Sequence, residues 1–205
     1  MDEVAALRDK LEQENTYLQE AISIERAHHD IVGVSPATQA LLARVELVSR
    51  TSANVLITGE PGTGKSLVAS AIHKDSDRRR RPIIHFHCGS ASNEMMEDEL
   101  FGHVRGGSIN ALKDKAGSLE LANGGTLFLD EITEIPLEQQ GRLLNALQSG
   151  FVSRQGETRK REINVRIIAS TSRDLEREVQ AGRFRQDLFF YLSVFPIHCT
   201  PLRER

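Results

Sequence analysis

Two short segments carry residue types that could handle phosphate. The first, GEPGTGKS, runs from Gly59 to Ser66 and fits the spacing G-x-x-x-x-G-K-[ST]. Glycines at 59, 62 and 64 let the backbone bend until its N–H groups point inward at an anion. Glu60, Pro61 and Thr63 complete the loop. Lys65 supplies an ammonium for β- and γ-phosphates, and Ser66 supplies a hydroxyl for Mg2+. The second segment, TLFLDE, ends in Asp130 and Glu131. Asp130 can hold the same Mg2+, and Glu131 can position or deprotonate an attacking water. Two adjacent carboxylates after a strand are often only a solvated turn, but paired with the upstream loop they read as the second half of its site. Together the two segments point to ATP or GTP binding, with in-line hydrolysis driven by positioning and charge neutralisation.

Such residues must be carried by strands and helices in a fixed order. The loop follows the apolar run NVLITG (54–59) and opens the helical run KSLVASAIHK (65–74), the strand–loop–helix setting that phosphate binding requires. Further β-rich runs are PIIHFHC (82–88), GTLFLD (125–130), NVRIIAST (164–171) and SVFPIHC (193–199). Helical runs alternate with them: SPATQALLARVELVSR, SNEMMEDELFG, PLEQQGRLLNALQS and DLEREVQAG. Alternation of this kind predicts an α/β fold with a mostly parallel sheet covered on both faces. Residues 2–29 lack Gly and Pro and are rich in Glu, Gln, Leu and Ala, which favours a helix. Val4, Leu11, Leu18 and Ile22 with Asn15 fit one heptad; Val4, Leu7, Leu11, Leu18 and Ala21 fit another. A linker helix and a short dimeric coiled coil both remain open.

The chain has 205 residues, 39% hydrophobic and 27% charged, with a formal net charge of -3. That composition is globular, and bulk charge does not call for a nucleic-acid or anionic-membrane partner. No apolar run approaches the roughly 20 residues of a membrane span, and the acidic start MDEVAALRDK is not a signal peptide. Two distant cysteines, Cys88 and Cys199, read as reduced thiols of a cytoplasmic protein.

IVGVSP, VLITGEPGTGKS, DELFGHVRG, GSLELANGGTLFLDEI, VRIIASTSRDL, GRFRQDLFFYLSVFPI and PLRER follow one another along the chain. In that order they resemble the AAA+ ATPase domain of bacterial enhancer-binding proteins, the activators of RNA polymerase carrying sigma-54. The resemblance covers about residues 31–205. It implies a three-layer αβα P-loop NTPase core that works as a ring, usually a hexamer, with ATP and Mg2+ between subunits. It implies a linker over 1–30, and a lid and a DNA-binding domain that this chain lacks. Lys65, Asp130 and Glu131 match the family's ATP site, with Ser66 and Asp130 as the Mg2+ ligands. Ile31, Val32 and Gly33 match the segment lining the adenine pocket. Ser66 stands where the family usually has Glu. Arg185 matches the arginine given in trans to a neighbour's γ-phosphate, and Tyr191 replaces a second one. His87 stands for the asparagine that relays nucleotide state to the catalytic Glu, and Ser172 for a sensor asparagine.

The family's client-contacting loop carries G-A-F-T-G-A. Here the aligned residues are GGSINA, Gly106 to Ala111, with Ser108 at the Phe position, Ile109 at the Thr position and Asn110 at the second Gly. A ring of aromatic contacts is lost, which puts direct contact with sigma-54 in question. Two functions stand. One is an ATPase module of a sigma-54-activator-type regulator; the other is an ATP-responsive oligomerisation module of a DNA-binding regulator that no longer contacts sigma-54. Three further clusters read as follows. HFHC (85–88) is a core or relay element rather than a zinc site. RRRR (78–81) is a solvated loop. RQGETRKREIN (154–164) is a basic hairpin-like loop that is either solvated or turned to the ring pore.

Overall fold

The computed structural model describes residues 31, 35–89, 93–107, 111–201 and 203. The chain divides into two units, Met1–Val32 and Gly33–Arg205. The expected helix over 2–29, Val32 and Gly33, and the loop tip Ser108–Asn110 lie outside the described residues. Ile31 is described but belongs to the first unit.

The second unit is built on five parallel strands: β1 (Val55–Thr58), β2 (Ile83–His87), β5 (Thr126–Asp130), β8 (Arg166–Thr171) and β9 (Phe195–His198). They lie in the order β2-β5-β8-β1-β9. Every apolar run named from the sequence is one of these strands. The central β8 is buried at all of its positions, whereas edge strand β2 alternates, as expected of a parallel sheet covered on both faces. Pro196 falls in β9, which pairs only with β1, so its missing N–H faces away from the ladder.

Helices close the layers. α1 (Pro36–Ser49) packs on α2 (Lys65–Lys74), and α2 reaches β1, β5 and β8. α3 (Asn93–Phe101) packs on the short α4 (Ser118–Leu121). α5 (Leu137–Ser149) meets α7 (Gln186–Leu192), which lies on β8 beside α6 (Leu175–Gln180). α1 begins where the sequence says it should. Ser35 Oγ accepts from Thr38 N at 3.2 Å, with Pro36 in the first turn, a good start for a helix. Its other end is finished by a residue the sequence did not flag. Arg166, 3% exposed, donates to Val48 O at 2.8 Å, Ser49 O at 3.4 Å and Ala53 O at 3.3 Å. A buried guanidinium here meets the negative end of the helix dipole.

In the RRRR run Arg79, Arg80 and Arg81 are exposed, as expected of a solvated loop, and Arg78 alone departs from it. Arg78 donates to Gly125 O at 2.7 Å, Asn164 O at 2.9 Å and Asn164 Oδ1 at 2.6 Å. It satisfies carbonyls at the starts of β5 and β8 that would otherwise be left partly bare. Next to it, the buried His73 at the end of α2 lies 2.9 Å from Thr126 Oγ1 and 3.1 Å from Arg81 O. The carbonyl fixes Nε2–H as the donor, and Nδ1 then accepts from the threonine. Among the described residues, no helix is long and apolar enough to cross a membrane.

Burial, above all, holds the pKa of His73 below its ordinary 6.5, and Arg166 adds to that lowering against the Arg81 carbonyl. The sign follows from proton counting: between the lowered folded value and 6.5 the unfolded chain binds more protons. His73 therefore supports the fold above about pH 6.5, and that support is lost as pH falls below it. Urea unfolding at pH 7.5 and at pH 5.5 should show a lower midpoint in acid, and His73→Gln should reduce the difference between the two. An unchanged difference would show that His73 is not the titrating group.

Candidate phosphate-binding site

The loop after β1 is shaped by close approach. A Cβ on Gly59 would lie 2.6 Å from Cys199 O, so only glycine lets β9 pass so near. Gly64, at φ 85, caps α2 with no side-chain bond. The first backbone bond of the helix runs from Val68 N to Gly64 O at 3.1 Å. The amides of the first turn therefore have no acceptor within the helix, and Gly64, Lys65 and Ser66 line a cleft. Helix dipole and free amides together favour an anion there.

Lys65 is 7% exposed. Its Nζ donates to Gly59 O at 3.0 Å and Glu60 O at 3.3 Å, and lies 3.2 Å from Glu131 Oε1. Three acceptors match the three protons of the ammonium. The carboxylate comes from the far side of β8, because β8 sits between β1 and β5 in the sheet.

Glu131 is held at several points. Its amide donates to Ser170 Oγ at 3.2 Å, and its Oε2 accepts from Ser172 N and Ser172 Oγ, both at 2.9 Å. It adopts φ 56, ψ 57, the one left-handed non-glycine backbone among the described residues. Such a conformation costs on the order of 1–3 kcal/mol and persists only where surrounding contacts enforce it. Asp130, one residue earlier, accepts from Ser170 Oγ and lies 3.1 Å from His87 Nδ1. Ser170 thus touches both acids. It was not singled out from the sequence, although the parallel register of β5 and β8 would bring hydroxyls in the run IIAST beside DE.

The cleft measures about 670 Å³ and is lined by Pro61, Gly62, Gly64, Lys65, Ser66, Asp130 and Glu131, with His87, Ser172, Arg173 and Glu134 among the others. The two sequence segments therefore meet in one place. Glu60 keeps only its carbonyl on Lys65. Its carboxylate makes a paired bond to Arg203 at 2.6 and 2.8 Å, which holds its pKa low. Thr63 Oγ1 donates to Glu60 O at 2.8 Å and stiffens the loop.

Other expected residues take different partners. His87 lies against Asp130, while Ser172 and Lys65 hold Glu131. The β2–β5 register pairs His87 directly with Asp130, so its imidazole sits beside the acid that precedes Glu131. His85 packs edge-on against Phe128 at 5.3 Å. Among the described residues, no group of three or more His, Cys, Asp or Glu is placed to hold a metal ion. Arg185 stands apart in a second hollow with Gln186, Asp187 and Phe190. Its guanidinium grips Asp187 at 2.7 and 3.0 Å, and that bond chiefly keeps the Asp187 carboxyl below its usual range. Tyr191 donates its hydroxyl to Leu147 O at 3.2 Å, tying α7 to the end of α5.

The frame of the GGSINA loop is formed. β3 (Gly102–His103) pairs with β4 (Lys115–Ala116), and Gly106 N donates to Ala111 O at 2.9 Å across the loop base. The basic segment 154–164 is a hairpin joining β6 (Phe151–Val152) to β7 (Arg161–Glu162). It is bonded to that base through Gln155 N to Gly102 O at 2.8 Å and Val104 N to Gln155 O at 3.0 Å.

Comparison with known proteins agrees with this geometry. Residues 31–198 match the model of the sigma-54 interaction domain. The anaerobic nitric oxide reductase transcription regulators NorR of Escherichia coli O81 (strain ED1a) and of Enterobacter sp. (strain 638) are 46% and 45% identical to it over 202 residues. That match takes in 98% of this chain and 40% of each regulator, so the chain spans well under half their length. The crystal structure of Brucella abortus NtrX in complex with ATP is 38% identical, with a TM-score of 0.80 over 92% of this chain and 43% of that one. The complex of the same protein with ADP also scores 0.80, at 36% identity over 96% of this chain and 44% of that one. A P-loop NTPase domain of an Escherichia coli sigma-54 activator, at 20% identity and a TM-score of 0.58 over 83% of this chain and 99% of that one, shares the fold. With the sheet order, the glycine loop and the paired acids in hand, the chain belongs to the sigma-54 interaction domain family, the AAA+ domain of enhancer-binding transcriptional regulators.

Proposed function

We propose that this chain binds ATP with Mg2+ in the cleft between the Gly59–Ser66 loop and Asp130–Glu131, and hydrolyses it at contacts between copies in a ring. The observation that carries this reading is the buried Lys65 ammonium held by Glu131 across the end of β8. The donor set fits the cofactors. The amides of the first turn of α2 and Lys65 suit phosphate, and the Ser66 hydroxyl and Asp130 carboxylate are hard oxygen ligands suited to Mg2+. When bound, Mg2+ neutralises phosphate charge. Lys65 then exchanges its carboxylate and carbonyl acceptors for phosphate oxygens. That frees one oxygen of Glu131 to orient water, while Ser172 keeps the other in place. Bound ATP and ADP in the NtrX structures support the nucleotide assignment.

Arg185 is the trans residue of this proposal. It lies in its own hollow rather than in the cleft, which suits a residue that reaches the cleft of another copy. The wider setting is a cytoplasmic transcription regulator with a linker over 1–30, the AAA+ core from 31 onward, and DNA contact through a segment outside this chain. In this first reading the client is RNA polymerase with sigma-54, a contact that the GGSINA loop puts in question. The alternative is an ATP-responsive oligomerisation module that leaves sigma-54 alone. It draws on Ser108 and Asn110 in the loop and on Tyr191, whose hydroxyl is committed to Leu147. Capture of sigma-54 in the presence of ADP and aluminium fluoride would support the first reading, and no capture the second.

Lys65→Ala should weaken fluorescent ATP binding by about tenfold or more. Glu131→Gln should keep binding and lower turnover by about 10²–10⁴-fold; turnover unchanged in that variant would remove Glu131 from catalysis. Turnover per chain should rise steeply with protein concentration. Arg185→Ala should flatten that rise and cost about 10³-fold or more at saturation. A concentration-independent rate in the wild type would contradict a role for Arg185 in trans.

A further inference from the structure

One charged pair in the cleft has no part in the arrangement above. Arg173 Nη2 lies 2.6 Å from Glu134 Oε1, and both residues line the same cleft as Lys65, Ser66, Asp130 and Glu131. Their anchors are close to the catalytic acid. Arg173 follows Ser172, whose amide and hydroxyl hold Glu131, and its own amide donates to Thr171 Oγ1 at 3.0 Å. Glu134 ends the short 3₁₀ turn Ile132–Glu134 that Glu131 opens, and Glu134 N donates to Glu131 O at 3.0 Å. The backbone at both ends is therefore held while the side chains reach solvent, at 51% and 40% exposed. An ion pair so exposed contributes little to stability, and a more highly charged anion can take the guanidinium from it. A planar fork of donors suits a terminal phosphate well.

We propose that Arg173 reads the terminal phosphate of a bound nucleoside triphosphate in cis. It leaves Glu134 for that phosphate and stays on Glu134 when a diphosphate is bound. The inference rests on the nucleotide assignment made under Proposed function.

Equilibrium binding of ADP and of the non-hydrolysable analogue adenylyl imidodiphosphate, each with Mg2+, tests this without turnover. Arg173→Ala should weaken the analogue by about tenfold or more and leave ADP within about twofold. Arg173→Lys should lie between, since it keeps charge and loses the fork. Glu134→Gln should act in the opposite direction and tighten the analogue selectively. If Arg173→Ala weakens both nucleotides alike, or neither, the proposal is overturned while the nucleotide assignment stands. If the wild-type chain takes up neither nucleotide, the assignment itself fails and the proposal with it.

Discussion

A buried ammonium has to be neutralised, and in this chain the neutralising group arrives from two strands away. Lys65 follows β1, Glu131 follows β5, and β8 lies between them. The ion pair therefore spans the carboxyl end of β8. Residues there, Ser170 and Ser172, become the ones that hold the acids. Break the sheet order and the pair cannot form; keep it and a cleft opens at the point where connections leave the sheet in different directions, the usual place for a ligand in an open α/β fold.

The same constraint explains the one left-handed non-glycine backbone among the described residues. Glu131 must turn its side chain back over β8 to meet Lys65, and an extended continuation of β5 would carry it away. Three hydrogen bonds from β8 and the segment after it offset the strain. Strain of this kind, enforced by neighbours at a polar cleft, marks a place arranged for chemistry at some expense of stability. Arg78, His73 and Arg166 serve a different end. They satisfy carbonyls at strand starts and a helix end on the scaffold below.

Much of this was legible in the residues. Apolar runs of strand length between helical runs gave β1, β2, β5, β8 and β9 to within a residue or two, because parallel strands buried on both faces leave a continuous apolar signature. Gly59–Ser66 and Asp130–Glu131 declared themselves by type and spacing. What was not legible lies in long-range pairing. His87 stands where the resembling family has its relay asparagine, and only the β2–β5 register shows that it lies opposite Asp130. Ser170 shows nothing in sequence until β8 is placed beside β5. Arg78 looked like one member of a solvated run, since only the fold reveals that Gly125 and Asn164 offer it three acceptors. The Arg173–Glu134 pair joins two loops whose proximity depends on the same register.

The account turns on Lys65 exchanging Glu131 for phosphate. A crystal structure of this chain with Mg2+ and a non-hydrolysable ATP analogue tests that most directly. The account predicts the triphosphate over the first turn of α2, with Lys65 Nζ moved off Glu131 Oε1 and onto phosphate oxygens, and Ser172 still on Oε2. A nucleotide bound elsewhere, or bound in the cleft with the Lys65–Glu131 pair intact, would contradict it.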